Sequence, residues 1–350
     1  MMITIKEIAE EAGVSATTVS NVLHGRTKKV SPEMIKKIQD LLEEKNYVPR
    51  FGLNALTNRK SKMIGVLIST PEFVERSPYE RPFYGTVIGT LESAFREKGY
   101  YIMLCSSKNM QEVMRMILGW NVDGVVSISL PPKYYQEIKE ITGKPVVSID
   151  MDVDTPYTTG CYNITSTDEV CGEKVVEYLL EQNIRKIIYI ANAKKGADYR
   201  RYQGALKAYK SALGETAELE AVMLGTTCEE RIATYQELEK YVGHHAALFF
   251  STDFNAAEAM GYFNRKNIRI PEDISIVGCD DDVFARLSVP KLTTVKIDSV
   301  RKAEIAAEVM LSLLEGKIIE EKEIKVNTCL IERDSVYING KDKMNAENYH

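Results

Sequence analysis

The chain has 350 residues, 44% of them apolar and 27% charged, which is close to the average of folded proteins and predicts two or three domains. This composition excludes a disulfide-stabilised miniprotein and a wholly disordered chain, and no stretch reaches the roughly 18 uncharged apolar residues of a membrane span. We expect a cytoplasmic globular protein with no membrane contact, because charge also interrupts the first seven residues, where a signal peptide needs an apolar run.

Charge is distributed unevenly along the chain. Residues 1–61 hold ten Lys and Arg against seven Asp and Glu, a net charge of +3, which leaves −8 on the remainder for the total of −5. A basic head on an acidic body is typical of an N-terminal nucleic-acid-binding module.

The cysteines predict neither disulfides nor a metal site. None of the six belongs to a Cys-x-x-Cys pair, and each has apolar neighbours, so we expect buried free thiols. They are Cys105, Cys161, Cys171, Cys228, Cys279 and Cys329. No pattern in the sequence calls for a cofactor.

Residues 1–48 predict three short helices around one small core. Thr4 and Glu7 form a capping box, and the first apolar stripe stops at Gly13. Ser15 is placed to cap a second helix, and Ser31, followed by proline, is placed to start a third. Two short helices joined by a tight link are typical of a helix-turn-helix. The predicted core residues are Ile5, Ile8, Ala9, Ala12, Val19, Val22, Leu23, Ile35, Ile38, Leu41 and Leu42.

The second helix turns a small polar face away from its apolar stripe. Thr17 and Asn21, four residues apart, share that face, and Asn can bond adenine in bidentate fashion while Thr can touch a thymine methyl. We predict base contacts from Ala16, Thr17 and Asn21, and phosphate contacts from Ser15, Thr18, Ser20 and Ser31. A small solvated bundle without a ligand is the alternative interpretation.

Residues 49–61 predict a linker that is helical only under some conditions. Gly52, Asn54 and Asn58 are poor helix formers, yet Leu53 and Leu56 stand three residues apart. Such a segment favours a hinge that folds only with a partner.

From residue 62 to 340 short apolar runs alternate with amphipathic stretches, which predicts an α/β core of two doubly wound parallel-sheet subdomains. The last ten residues, 341–350, are polar and predict a frayed tail. The predicted strands are Met63 to Ile68, Tyr101 to Cys105, Gly124 to Ile128, Val146 to Ile149, Lys186 to Ile190, Ala246 to Phe250 and Ile274 to Val277. The predicted helices include Gly85 to Lys98, Asp168 to Gln182, Tyr202 to Leu213 and Asn255 to Lys266.

Residues 3–340 resemble the LacI/GalR family of transcription regulators. The resemblance is carried in the head by 3–15, 18–23 and 30–49, and in the core by Trp120-Asn-Val-Asp-Gly, Arg201-Tyr-Gln-Gly and Ile274-Ser-Ile-Val-Gly-Cys-Asp. It implies a helix-turn-helix headpiece, a hinge helix and a two-lobed core similar to periplasmic sugar-binding proteins. It also implies a homodimer that binds a near-palindromic operator in double-stranded DNA and is controlled by a small molecule.

Two positions in the headpiece and hinge acquire specific meaning from this resemblance. Asn21 stands where most family members carry Arg, so we expect an altered half-site at that contact. Leu56 occupies the position of a leucine that wedges into the minor groove at the centre of the operator.

The resemblance also implies an effector cleft. In the family, residues at the positions of Asp150, Arg201 and Asp280 bond sugar hydroxyls or purine edges, and strand ends at one edge of a doubly wound sheet are where ligands bind. Paired acceptors and donors of this kind suit a sugar or sugar derivative. The predicted effector-binding residues are Ser69, Phe83, Tyr84, Asp150, Arg201, Thr252, Asp253 and Asp280.

Several positions depart from the sugar-binding pattern, so the effector stays open. Leu224-Gly-Thr-Thr stands where relatives often place a stacking aromatic residue, and Thr252 where they usually carry Asn. A non-sugar metabolite or a protein corepressor is therefore the alternative, and the sequence does not distinguish induction from corepression. A carbohydrate-active enzyme has no support from a nucleophile motif or metal cluster, and a transport protein would carry no helix-turn-helix.

The wedge at Leu56 makes a testable prediction. Leu56→Ala should weaken operator binding much more than binding to unrelated DNA. The cost of unstacking a base step to admit the leucine is offset by added protein–DNA contacts only where the duplex is kinked. Titration of both duplexes by fluorescence anisotropy measures the two affinities, and equal losses would contradict a wedge.

Overall fold

The structure is a computed structural model that describes residues 4–23, 26–45, 61–69, 77–107, 109–152 and 160–338. It divides into two compact units, Met1–Arg59, the headpiece, and Lys60–His350, the core. The hinge predicted at 49–61, including Leu56, lies outside the described residues except for Ser61, and so does the tail predicted at 341–350. Within the described ranges no helix is long and apolar enough to cross a membrane.

The headpiece consists of α1 (Ile5–Ala12), α2 (Ala16–Leu23) and α3 (Pro32–Glu44). The capping box predicted for α1 is present, because the Glu7 amide donates to Thr4 Oγ1 at 3.3 Å and the Thr4 amide donates to Glu7 Oε2 at 2.6 Å. Six apolar residues from the three helices share one buried core, which confirms the predicted helical head: Ile8, Ala9, Ala12, Val19, Val22 and Ile38.

The first lobe of the core is a parallel sheet with helices on both faces. Its strands are β1 (Met63–Ile68), β2 (Tyr101–Ser106), β3 (Gly124–Ile128), β4 (Val146–Ile149), β5 (Tyr162–Ser166) and β11 (Glu323–Val326), and its helices are α4 (Pro82–Glu97), α5 (Met110–Trp120), α6 (Pro132–Thr142) and α12 (Ser299–Leu314). The strands lie in the order β11-β5-β4-β3-β1-β2. Helices α4 and α12 pack on one face of the sheet, and α5 and α6 pack on the other.

The second lobe repeats this plan with a four-stranded parallel sheet in the order β7-β6-β8-β9. Helices α7 and α8 cover one face, and α9 and α10 the other. A short antiparallel pair, β10 with β12, completes the lobe. The strands are β6 (Lys186–Ala191), β7 (Glu220–Met223), β8 (Ala246–Phe250), β9 (Ser275–Val277), β10 (Thr294–Lys296) and β12 (Cys329–Ile331), and the helices are α7 (Asp168–Glu181), α8 (Gly196–Leu213), α9 (Cys228–Leu238), α10 (Asp253–Arg265) and α11 (Val283–Leu287).

The described chain passes between the two lobes three times: between β5 and α7, between β10 and α12, and between β11 and β12. Two of these crossings are bonded to each other. The Thr167 amide donates to Val326 O at 3.0 Å, and the Thr328 amide donates to Thr167 Oγ1 at 3.1 Å. These two crossings therefore form one connected link between the lobes.

All seven predicted strands are present, with ends within one residue of the prediction. The predicted alternation of parallel strands and helices in two subdomains is confirmed. Sequence patterning missed β5, β7, β10, β11 and β12.

Helices α7 and α8 approach so closely that only glycine fits between them. A Cβ added to Gly172 would lie 1.9 Å from Arg201 O, and one added to Gly204 would lie 1.9 Å from Glu169 O. Both contacts are with backbone, which cannot swing aside. The crossing therefore fixes the first turns of α7 against the middle of α8.

Gly204→Ala should accordingly destabilise the core by roughly 3 kcal/mol or more, because the two helices must separate to admit one methyl group. Gly261→Ala in α10 is the matched control, since its added Cβ meets only the end of Arg265 at 3.8 Å. Urea unfolding monitored by circular dichroism measures both variants. Equal stability of the two would show that the crossing tolerates side chains.

Candidate functional site

The exposed face of α2 carries the residues predicted to contact base edges. Thr17 is exposed, and Asn21, one turn later, is half-buried, while the apolar side of the helix is buried in the headpiece core. Ala16 and Ser20 are also half-buried. The face is small and polar, as an approach to the major groove requires, and the individual base contacts stay predictions.

Three of the four residues predicted to contact phosphate lie in the first turns of helices, and Ser20 lies in the second turn of α2. Ser15 Oγ accepts a bond from the Thr18 amide at 3.1 Å and lies 2.9 Å from Thr18 Oγ1. Ser31 Oγ accepts from the Met34 amide at 3.3 Å. Ser15 and Ser31 are exposed. These two hydroxyl groups lie at the N-termini of α2 and α3, where an anion is favoured, and the phosphate contacts stay predictions.

In the core, Asp150 follows β4 with a positive φ of 54° and forms an ion pair with Lys302 of α12. Lys302 Nζ donates to both carboxylate oxygens, at 2.7 and 2.9 Å, although the lysine is only 1% exposed. The Phe83 ring centroid lies 5.7 Å from the same Nζ. The predicted ligand carboxylate is therefore already compensated by a cation of its own lobe.

The aromatic pair predicted to line the cleft is formed at the start of α4. The rings of Phe83 and Tyr84 meet edge to face, with centroids 5.3 Å apart. Burial raises the pKa of the Tyr84 phenol, which stays a neutral hydrogen-bond donor. Ser69 follows β1 on the same lobe, half-buried, and its amide donates to Ile128 O at 3.1 Å.

On the second lobe, Arg201 is held in place by Asp168, the first residue of α7. Arg201 Nε donates to Asp168 Oδ1 at 3.0 Å, and Arg201 Nη1 donates to Ser251 O at 2.7 Å. The neighbouring Arg200 Nη2 donates to Asp168 Oδ2 at 3.2 Å. All three charged side chains are buried, so one carboxylate positions two guanidinium groups at the cleft.

Asp280 lies where β9 ends and carries a carboxyl group that no described residue bonds. Its φ is 139°, in a region that favours glycine, and its amide donates to Val295 O at 2.9 Å. Burial raises the pKa of Asp280 well above its ordinary value, and the nearby Asp253 adds to this shift. A protonated carboxyl group would be able both to donate and to accept a ligand bond.

Asp253 and Thr252 were predicted to bind effector, and in this structure both make bonds within the protein. Asp253 is 0% exposed, its Oδ1 accepts from Thr294 Oγ1 at 2.5 Å, and its Oδ2 accepts from the Asp282 amide at 3.0 Å. Thr252 Oγ1 caps α10 by accepting from the Asn255 amide at 3.4 Å. In this conformation the pair supports the loop that carries Asp280.

Comparison with known proteins identifies two domains. The model for bacterial regulatory proteins of the lacI family matches residues 4–50, and the model for a periplasmic binding protein-like domain matches residues 176–336. The chain therefore joins a DNA-binding domain of the lacI family of bacterial regulatory proteins to a periplasmic-binding-protein-like domain. The relatives that match it are transcriptional repressors and not enzymes.

Relatives and solved structures match this chain over nearly its whole length. The HTH-type transcriptional repressor PurR of Vibrio atlanticus (strain LGP32) is 28% identical over 348 residues, covering 96% of this chain and 99% of the relative. PurR of Pectobacterium carotovorum subsp. carotovorum (strain PC1) is 29% identical over 346 residues, covering 96% and 97%. The Lac repressor dimer bound to operator and the anti-inducer ONPF superposes with a TM-score of 0.80 at 20% identity, covering 96% and 99%. The transcriptional regulator CelR in complex with cellobiose superposes with a TM-score of 0.70 at 24% identity, covering 95% and 99%.

Sequence reasoning missed three charged residues of this cleft: Lys302, Asp168 and Arg200. A signal existed for the first, because Lys302 interrupts the apolar stripe that Ala306 and Met310 continue on α12. A lone charge on a buried helix face implies a buried counter-charge. Asp168 and Arg200 gave no such signal, since their pairing depends on how two helices cross.

The ion pair of Asp150 with Lys302 can be tested by a double-mutant cycle. Lys302→Met should lower the free energy of unfolding of the core by roughly 3 to 5 kcal/mol, because it leaves a carboxylate without its cation, and adding Asp150→Leu should restore most of that loss. Arg301→Met, which removes a neighbouring exposed cation, is the control and should cost less than about 1 kcal/mol. Urea unfolding gives all four values, and a single variant as stable as the control would contradict the pairing.

The raised pKa of Asp253 predicts that the stability of the core falls as pH rises, which is opposite to the effect of most carboxylates. Burial raises its pKa to about 7, Asp282 and Asp281 add to the shift, and the Thr294 bond opposes it. Since an unfolded Asp titrates near about 4, the folded core binds the extra proton between these values, and stability falls as pH rises from about 4 to 7.

Asp253→Asn should remove this contribution. The difference in unfolding free energy between wild type and variant should decline by on the order of 2 kcal/mol between pH 5 and pH 8 and stay level above that. Urea unfolding at a series of pH values measures the difference, and one that rises with pH would contradict the raised pKa.

Proposed function

We propose that this chain is a transcriptional repressor that binds a near-palindromic operator as a homodimer and is controlled by a small-molecule effector in the cleft of its core. The observation that carries the proposal is the combination, in one chain, of a helix-turn-helix with an exposed polar face and a two-lobed core that holds Arg201 and the Asp280 carboxyl group at strand and helix ends. Because its target is operator DNA, the proposal places the protein in the cytoplasm.

Operator recognition in this proposal falls to Thr17 and Asn21, with Ala16 beside them. Ser15, Thr18, Ser20 and Ser31 would bind phosphates, and Leu56 would enter the minor groove. Two copies are needed because a single short helix reads only one half-site. An apolar surface supports self-association: Leu118 and Trp120 of α5 are each 53% exposed.

The effector in this proposal is a sugar or sugar derivative. Arg201 and Asp280 of the second lobe and the ring pair Phe83 and Tyr84 of the first offer planar donors, an open carboxyl group and an apolar surface. Cellobiose occupies the structural neighbour CelR. The internal pairing of Asp150 favours the second candidate, a regulator of the same fold that is controlled by a non-sugar metabolite or a protein corepressor.

Asn21 offers the sharpest test of operator recognition. Selection from random duplexes with the wild-type protein should return a near-palindrome, and Asn21→Arg should shift one base position of each half-site from adenine to guanine, worth roughly 1 to 3 kcal/mol of discrimination. Glu33→Gln on the exposed side of α3 is the control. Failure to enrich any palindrome would contradict the proposed function, and an unchanged base preference would contradict the role of Asn21.

A further inference from the structure

Two buried side-chain atoms without a hydrogen bond lie opposite each other between the lobes. Arg200 Nη1 belongs to α8 of the second lobe, and Asp152 Oδ1 follows β4 of the first lobe. They form an ion pair at 3.8 Å, which is too long for a hydrogen bond, and neither atom has a hydrogen-bond partner within the described structure. Arg200 is only 9% exposed. A donor and an acceptor are thus held unsatisfied, and a buried group in that state is costly.

The other two nitrogens of the Arg200 guanidinium group have partners. Arg200 Nε and Nη2 donate to Asp168 Oδ2 at 3.4 and 3.2 Å, which fixes the guanidinium plane and directs Nη1 toward the first lobe. The glycine crossing of α7 and α8 fixes Asp168 in turn. Arg200 is therefore not free to swing toward Asp152, and the gap is a property of the fold.

We propose that a hydroxyl group of the effector fills this gap, accepting from Arg200 Nη1 and donating to Asp152 Oδ1, and so bonds one lobe to the other. This inference rests on the proposed function, in which a small molecule binds the cleft. A hydroxyl oxygen is the one common ligand atom that donates and accepts at once, and it can lie about 2.8 Å from both atoms.

Local charge selects a neutral group at this point. Arg200 and Arg201 carry two positive charges, and Asp168 and Asp152 carry two negative ones, so the cluster is balanced without a ligand. A phosphate or carboxylate inserted here would face Asp152 uncompensated. The structure thereby assigns Asp152 and Arg200 as residues that favour neutral polyhydroxylated effectors and reject their anionic counterparts.

The test measures thermal unfolding and calorimetric binding of the full chain with D-glucose, D-ribose, cellobiose, D-glucose 6-phosphate, D-ribose 5-phosphate and adenine. A neutral sugar should raise the unfolding temperature by a few degrees, and its phosphate should not. Asp152→Ala should weaken binding of that sugar roughly 10- to 100-fold, and Asp152→Asn, which keeps an acceptor, should recover most of the loss. Asp273→Asn, which breaks an exposed ion pair with Arg269, is the matched control.

Binding of only the phosphates or adenine would overturn the inference while leaving an effector-controlled repressor intact. Sugar binding that ignores Asp152→Ala would do the same. If no probe binds, the crystal structure of the protein decides: a direct Arg200–Asp152 bond overturns the inference, and an ordered water between Nη1 and Oδ1, at the place a hydroxyl would take, supports it. A wild-type protein that binds no operator would instead contradict the proposed function.

Discussion

The buried carboxylate of Asp168 is the constraint on which the effector side of this molecule depends. It opens α7 directly after the chain crosses from the first lobe, and it accepts from Arg200 and Arg201 together. The arrangement exists because Gly172 and Gly204 let two helices touch backbone to backbone. A single buried charge without such partners would cost several kcal/mol, so the glycines and the ion cluster have to be present together. The Arg201-Tyr-Gln-Gly motif thus joins the arginine that we propose binds the effector to the glycine that positions it.

The polar groups of the proposed cleft are divided between two lobes that three crossings connect. The amides of Ser61 and Lys62, which follow the segment predicted to be a hinge, donate to the buried Asp123 at 2.9 and 3.0 Å. Asp123 directly precedes β3, so these bonds attach the start of the first lobe to the sheet that carries Asp150. In the proposed function, a ligand that binds one arrangement of the lobes more tightly than another would shift the position of this attachment, and an operator would change ligand affinity by the same factor.

Sequence reasoning recovered what local patterning determines. Strands such as β3, β4 and β8 are buried on both faces and therefore appear in the sequence as apolar runs. The headpiece helices are predicted by their N-capping residues and by apolar residues at helical spacing. Strand β5 was missed because its burial depends on polar bonds: Asn163 exchanges two hydrogen bonds with the Met151 backbone. Strand β11 was missed because Glu323 and Lys325 alternate along an exposed edge.

Asp253 followed the right strand, yet its side chain points inward to Thr294, and no sequence pattern indicates that direction. The partners of Asp150, Arg201 and Asp168 likewise depend on contacts between residues far apart in the chain.

In the proposed function, ligand binding in the cleft and operator binding by the headpiece are coupled in one dimeric molecule. Titration of the selected operator with the full chain by fluorescence anisotropy, with and without the ligand that stabilises the core, measures this coupling. The ligand should change operator affinity roughly 5- to 150-fold, in either direction, and Arg201→Ala should abolish this change while operator affinity without ligand stays near that of the wild type. A ligand that saturates the core and leaves operator affinity unchanged would show that the two sites are not coupled.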